Sequence, residues 1–419
     1  MLRRFATASA LAALLCAPAL AQTPEEIAQA ALEAAPVWDG HNDVPIQLRS
    51  RFGNELGAFD FTNTRATKTE TRNAMHTDLA RLRAGHVGAQ WWSVYVPASL
   101  DEPEAVEMTL EQIDVAKRLI ALYPDDMILA LSADDVEAAR AQGRIAGLIG
   151  MEGGHSIGSS LAVLRQMYDL GARYMTLTHS RNTPWADSAT DDPEHGGLTD
   201  FGKDLVREMN RIGMVVDLSH VSEKTMMDAL DVSRAPVIFS HSSARAINGH
   251  ARNVPDAVLR RLRENGGIIM VTAVPGFISE DARVWNAQRD AEEARLKALW
   301  QGQPDVVVAG MSAWDEANPY PPANIADMAD HIDHVRKIAG IDAIGIGGDY
   351  DGIPFGPEGL EDVSTYPALF TELARRGYSQ EDLEKISFRN MMRVMRGVEA
   401  TSAAMADVPP YEYPAGGGE

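Results

Sequence analysis

Cysteine is nearly absent: the 419 residues contain one, Cys16. With no second thiol, a disulfide framework is excluded, and so is thiolate ligation of a metal. Basic residues are also short. Lys and Arg number 38 against 60 Asp and Glu, a formal net charge of −22, which argues against nucleic acid or an anionic membrane as partner. Long apolar runs are missing beyond the first 21 residues, and no internal repeat is visible. What remains is length and a 45% hydrophobic content, enough for two or three domains or one large α/β barrel. Composition does not choose between them.

Residues 1–21, MLRRFATASALAALLCAPALA, run from Arg3-Arg4 through a short apolar stretch to Ala19-Leu20-Ala21. Charge, length and small residues at the end form a secretory signal pattern, and the apolar part is too short to span a bilayer. The pattern predicts export to a bacterial periplasm or the extracellular space, with the processed chain beginning near Gln22. Leu15 is too bulky for lipid attachment at Cys16, and no transmembrane span is expected after processing. The expected organisation is therefore a signal over 1–21, one large folded domain over 22–407 and an irregular Pro- and Gly-rich tail over 408–419.

Within the central region, eight short apolar runs rich in β-branched residues or glycine end in polar residues. They are VWDGHND at 37–43, AQWWSVYV at 89–96, RIAGLIGMEGG at 144–154, RYMTLTHS at 173–180, MVVDLSH at 214–220, PVIFSHSS at 236–243, GGIIMVTAV at 266–274 and AIGIGGDYDG at 343–352. Segments with helical spacing lie between them, such as EAVEMTLEQIDVAKRLIALY, SLAVLRQMYDLG and DFGKDLVREMNRIG, the last two closed by glycine as helix C-caps are. Buried strands alternating with helices indicate a parallel sheet, and eight such units indicate a (β/α)8 TIM-type barrel. Two regions interrupt the rhythm: a polar connection over 50–75, and a charged stretch over 277–323 that reads as a helical insertion between strands seven and eight.

The strand ends carry the chemistry. In VWDGHND, His41 and Asp43 stand two apart, so in a strand both side chains point the same way. The other ends offer Glu152, His179, His220, His241 and Asp349. A (β/α)8 barrel opens all these ends on one face, which gathers the scattered residues into one cluster. Singly each could be a satisfied histidine or a cap; together their uncompensated burial would be costly. The set suits two Zn2+ ions, with His41 and Asp43 on one, His220 and His241 on the other, and Glu152 as the bridge. His155 reads as a supporting neighbour of Glu152, Asp351 as a shaper of the last loop, Trp185 as packing or pocket wall, and His331 and His334 as a helix face toward the barrel.

These motifs resemble those of the membrane (renal) dipeptidases. DGHND, GMEGGHSIG, YMTLTHSRNTPWAD, DLSHVS, VIFSHSSA, RNVPD and GGDYDG are similar to that family's signatures, in its order, across nearly the whole chain after residue 21. The resemblance implies a zinc-dependent dipeptidase on a (β/α)8 barrel, often a homodimer, with the same five ligands. It places a substrate-contacting histidine on His179, a carboxylate-binding arginine on Arg252 and an acid/base aspartate on Asp349. Ile46 stands where the animal enzymes often have an aromatic residue, so one wall of the pocket differs; Arg181 stands where they have a disulfide cysteine, consistent with a processed chain free of cysteine. The expected reaction is hydrolysis of a dipeptide by a hydroxide bridging the two metals, with His179 stabilising the oxyanion and Arg252 gripping the terminal carboxylate. Alternatives are another metal-dependent amidohydrolase acting on a lactam, a lactone or an N-acyl-D-amino acid, and a binding protein that keeps its metals as structure. The H-x-D pair and Glu152, in place of H-x-H and a carboxylated lysine, disfavour the first; turnover of peptides separates the second.

The export pattern has a direct test. Intact mass of the protein from its native host should correspond to a chain beginning near Gln22 without lipid; an acylated Cys16 as first residue would overturn the reading.

Overall fold

A computed structural model describes residues 22–413; the signal pattern with Cys16, and the last six residues of the tail, lie outside the described residues. Nine strands form one parallel sheet: β1 (Val37–Asn42), β2 (Val87–Tyr95), β3 (Met127–Leu129), β4 (Ile145–Glu152), β5 (Ala172–Thr176), β6 (Val215–Asp217), β7 (Ile238–Phe239), β8 (Ile268–Val271) and β9 (Ile344–Ile346). Eight of them close into a barrel, since β1 pairs with both β2 and β9, and β2 pairs with β4 along Ala89–Tyr95. Helices surround it, as in a (β/α)8 barrel.

The ninth, β3, is an addition to the eight expected barrel strands. Its residues Met127–Leu129 pair only with the start of β4, Ile145–Gly147, below the level at which β5 joins β4 at Ile149. It extends the lower edge without entering the barrel closure. A run of three residues offers too little alternation to be read as a strand.

Two apolar layers result. Inside the barrel, Trp38, Trp91, Leu148, Tyr174, Ile238 and Met270 are buried in one cluster, and Phe388 and Met391 of the C-terminal region close its lower end. Between strands and helices, residues of the opposite parity, such as Val37, Trp92, Ile149 and Ile269, pack against the outer ring. The period of two then decides what the top of the barrel carries. Along β4, Leu148, Gly150 and Glu152 share the inward face, so the core residue below and the carboxylate above are set by one register. Gly150 is required there: a Cβ would sit 2.0 Å from the Tyr174 ring.

Within the segment between β8 and β9, helices Glu280–Leu299 and Pro304–Ala317 follow one another and are joined through Leu296, Val307 and Met311. Arg289 of the first forks onto Asp315 of the second at 2.8 and 2.9 Å. The tail from Val408 to Tyr413 has no regular structure, yet it is held: Tyr411 donates its N–H to Glu208 and accepts from Arg165. Among the described residues, no helix is long and apolar enough to cross a membrane.

Candidate metal centre

His41, Asp43, Glu152, His179, His220, His241 and Asp349 come together at the C-terminal mouth of the barrel, in three overlapping groups whose donor atoms lie within 4.8 Å of one another. The first joins His41, Glu152 and His241; the second Glu152, His179 and His220; the third His41, Asp43 and Asp349. Glu152 divides its oxygens between them. Oε2 lies 3.4 Å from His41 Nε2, while Oε1 lies 3.0 Å from His220 Nε2, 3.4 Å from His241 Nε2 and 3.7 Å from His179 Nε2. His41 Nε2 is 3.3 Å from Asp43 and 4.0 Å from Asp349.

The donor set fits metal ions. His41 Nε2 and Asp43 Oδ1 are buried and without a hydrogen-bond partner among the described residues. The Nε2 atoms of His220 and His241 face each other at 3.0 Å, a contact that needs a shared cation or proton. Burial, with the positive charge of Arg252 and neighbouring imidazoles adding to it, pushes His220 and His241 well below the ordinary histidine range. Neutral imidazole is the form that offers a lone pair. Burial pushes Glu152 the other way, but His41, His220 and His179 outweigh it and hold the carboxyl well below its usual value.

Three of the ligand-type side chains, those of His41, His241 and Glu152, are fixed from behind. His41 Nδ1 lies 2.9 Å from the Tyr174 hydroxyl, and His241 Nδ1 lies 2.8 Å from Ser240 Oγ, which donates at 2.6 Å to Asp217. Asp217 also accepts from Thr176, Ser219 and Ser240, so one carboxylate ties the ends of β5, β6 and β7. Asp39 does the same between β1 and β9, accepting from the N–H groups of His41 and Gly348 and from the Tyr366 hydroxyl. Ser93 of β2 donates to Glu152 Oε2 at 3.0 Å. Such supports orient ligating rings and carboxylates. None of them was singled out in the sequence, where Asp39, Asp217 and Tyr174 sit inside apolar runs; the one legible signal is that two of those runs contain a lone aspartate two or three residues before a histidine.

Two site residues adopt the left-handed conformation unusual for residues other than glycine, His220 at φ 71° and Asp349 at φ 60°. Each costs of order 1 kcal/mol or more, and each turns a side chain back over the mouth instead of continuing the strand. Backbone bonds hold the second turn, with Asp349 N–H on the His41 carbonyl and Asp43 N–H on that of Tyr350. Gly352 permits this approach, since a Cβ there would lie 2.2 Å from Asp43 Oδ2 and 2.7 Å from Asp349 Oδ1. Burial pushes the Asp349 carboxyl well up; His41 opposes this, and the charges of Asp43 and Glu152 reinforce it.

His179 and Asp349 are the more open members, with side chains 18% and 14% exposed against 0% for His41 and 2% for His241. Tyr95, at the end of β2, was not anticipated either: its ring lies 4.8 Å from that of His179, and burial with nearby carboxylates pushes its phenol up to about 12. Arg252 is buried with its guanidinium on two neutral oxygens, Ser242 Oγ and the His241 carbonyl, both at 3.3 Å. Among the described residues, no carboxylate pairs with it. Burial lowers it to about 10, so it stays charged at neutral pH.

Four histidines outside the cluster hold backbone, loops and helices. His155 bonds to the Val96 carbonyl at 3.1 Å, supporting backbone and not a site carboxylate. His331 accepts the Ala244 N–H and reaches the Ile278 carbonyl, while His334 pairs with Asp256. His76 and Asp351 exchange bonds that shape the loop after β9. Trp185 is buried in the outer core, with Phe201 6.0 Å away.

Comparison with known proteins is decisive at this point. Residues 25–408 match the family model described as membrane dipeptidase, peptidase family M19. The chain belongs to that family. It is 42% identical over 379 residues to dipeptidase 3 of Rattus norvegicus, covering 89% of this chain and 67% of the relative. A dipeptidase of Claviceps purpurea is also 42% identical, over 381 residues covering 89% and 79%. Among solved structures, the probable dipeptidase PvdM from Pseudomonas aeruginosa superposes with a TM-score of 0.76 at 23% identity, over 90% of this chain and 99% of that one. A metallopeptidase from Rhodobacter sphaeroides, liganded with a phosphinate mimic of L-Ala-D-Ala, gives 0.70 at 23% identity, over 87% and 99%. This family member is thus a metal-dependent hydrolase on a (β/α)8 barrel.

Its metal affinity should depend on the support behind the rings. Asp217→Asn should lower affinity for the added metal by about 10- to 100-fold while far-UV circular dichroism stays that of the wild type. Titration with a competing chelator measures it; unchanged affinity would remove the Asp217–Ser240–His241 chain from the metal site.

Proposed function

We propose that the protein is a dinuclear zinc dipeptidase that hydrolyses the peptide bond of free dipeptides. The observation that carries this reading is a buried, charged Arg252 without a carboxylate partner, beside a donor set that Glu152 divides in two. The family and the names of relatives at 42% identity support the same substrate class. His41 and Asp43 would hold one zinc, His220 and His241 the other, with Glu152 shared between them. When bound, the pair would supply Lewis acidity, making water a competent nucleophile near neutral pH and polarising the scissile carbonyl.

The chain's own residues supply the rest. Arg252, a planar fork of donors, binds the substrate's terminal carboxylate and so fixes the distance from that carboxylate to the scissile bond. Only a very short peptide then places its amide at the mouth. His179, among the more exposed of the cluster, donates from Nε2 to the carbonyl oxygen as negative charge develops there. Asp349 takes a proton from the attacking water and returns it to the leaving amine. Its left-handed backbone aims it toward His41 and Asp43 from the neighbouring strand. Export with loss of residues 1–21 belongs to the same reading, supported by the N-terminal pattern, and so does a homodimer, supported by the family resemblance.

Two substitutions test these roles in zinc-loaded protein. Asp349→Asn keeps the shape but cannot carry a proton, so kcat should fall by about 10²–10⁴-fold with bound zinc and KM little changed. Loss of zinc with rescue on its addition would make Asp349 a ligand instead; a zinc-replete variant within about threefold of wild type would remove it from the reaction.

Arg252→Lys should raise KM for free dipeptides by about 10- to 100-fold, the range expected for losing a charge-assisted bidentate contact. C-terminally amidated dipeptides should be affected far less. Equal effects on both would move the carboxylate site elsewhere.

A further inference from the structure

Next to Arg252 lies a cavity of about 900 Å³ that the proposed reaction does not use. It sits between the loops that follow β8 and β9, on the same face as the metal centre, and the helix Glu280–Leu299 closes its outer side. Phe277 is the wall shared with the carboxylate site. Its ring lies 5.4 Å from the Arg252 guanidinium carbon and 4.3 Å from the ring of His250, whose Nδ1 accepts the Arg252 N–H.

The far wall is aromatic. Trp285 meets Tyr320 edge-on at 4.9 Å, and Tyr320 meets Phe355 edge-on at 5.2 Å. Its cations are already neutralised: Arg289 is forked onto Asp315, and Arg283 pairs with Glu280. No free positive charge is left in this wall to attract an acidic group, and Asp290 adds a negative one. The lining therefore favours apolar and aromatic groups. The volume is also far larger than a methyl group needs.

A carboxylate and the side chain of the same residue diverge from one Cα. A ligand whose terminal carboxylate rests on Arg252 therefore carries its C-terminal side chain within reach of Phe277 and the space behind it. We propose that this chamber, built largely by the insertion between β8 and β9, receives the side chain of the substrate's C-terminal residue and selects a bulky aromatic or apolar group there. This rests on the reading of Arg252 as the carboxylate site of a dipeptidase. Trp285 and Tyr320, from the insertion, and Phe355, from the loop after β9, are then specificity-determining residues outside the metal cluster.

The test fills the chamber. Ala287 lines it from an exposed position on the helix, so Ala287→Trp occludes the space without touching the core, and Phe355→Ala removes part of the wall. Wild-type zinc-loaded enzyme should show kcat/KM at least about tenfold higher for Gly-Phe than for Gly-Ala, in the configuration it accepts at the second residue. Ala287→Trp should abolish that preference, and Phe355→Ala should reduce it, with Gly-Ala and Phe-Gly within about twofold of wild type. Equal losses on all three substrates, or none, would overturn the assignment. Calorimetric titration with N-acetylphenylalanine and N-acetylalanine, each in L and D forms, reads the same preference without turnover. If wild type hydrolyses no dipeptide, the proposed activity falls and the titration decides alone: a preference for the aromatic ligand that Ala287→Trp removes upholds the chamber, and equal binding of the two ligands refutes it.

Discussion

The carboxylate of Glu152 lies within 3.4 Å of imidazole nitrogens from three different strand ends, those of His41, His220 and His241, and holding these groups together is the constraint the rest of the barrel serves. Converging lone pairs and buried charge oppose such a cluster, so its members need fixed positions and outward partners. The protein provides them in a ring. Tyr174 stands behind His41, Ser240 and Asp217 behind His241, and Ser93 behind Glu152. Asp39 and Asp217 then bind neighbouring strand ends through backbone N–H groups, so the geometry of the site is the geometry of the barrel closure.

That coupling explains residues which would otherwise look like departures from good strand chemistry. Glycine at 150 weakens β4 locally, yet it makes the room that lets Tyr174 reach His41 from inside the barrel. Gly352 lets the loop after β9 close over Asp43, and the left-handed turns at His220 and Asp349 redirect side chains that an extended backbone would send elsewhere. Local conformational cost at the mouth is offset by a core that is closely packed directly below it, from Trp38 and Trp91 to Met270.

The strand ends were legible because a parallel barrel strand is buried on both sides until it stops, and the first polar residues after an apolar run then mark the mouth. His41, Glu152, His220, His241 and Asp349 could be found that way. Asp39, Asp217 and Tyr174 could not, because their polar atoms are satisfied inside the barrel by partners from other strands, and sequence spacing does not reveal which strands are neighbours. His179 also stands at such a strand end, and only its substrate-contacting role came from motif resemblance; Arg252 was visible through that resemblance alone. The short strand Met127–Leu129 escaped because three residues carry no period, and the pairing of the two insertion helices escaped because their contact uses only Leu296, Val307 and Met311 in otherwise polar sequences.

The division of labour between strand ends and insertion has a physical basis. Metal-type ligands must be held to within fractions of an ångström, which only the closed sheet and its crosslinks provide. A wall that contacts a substrate side chain needs shape and polarity but tolerates movement, and a helix pair held by its own small apolar contact and the Arg289–Asp315 fork can supply both. The insertion enters after β8 and returns before β9 without contributing a donor to the metal cluster. Changes in its aromatic lining can therefore alter what stands beside Arg252 while leaving Glu152 and its three imidazoles where the barrel puts them.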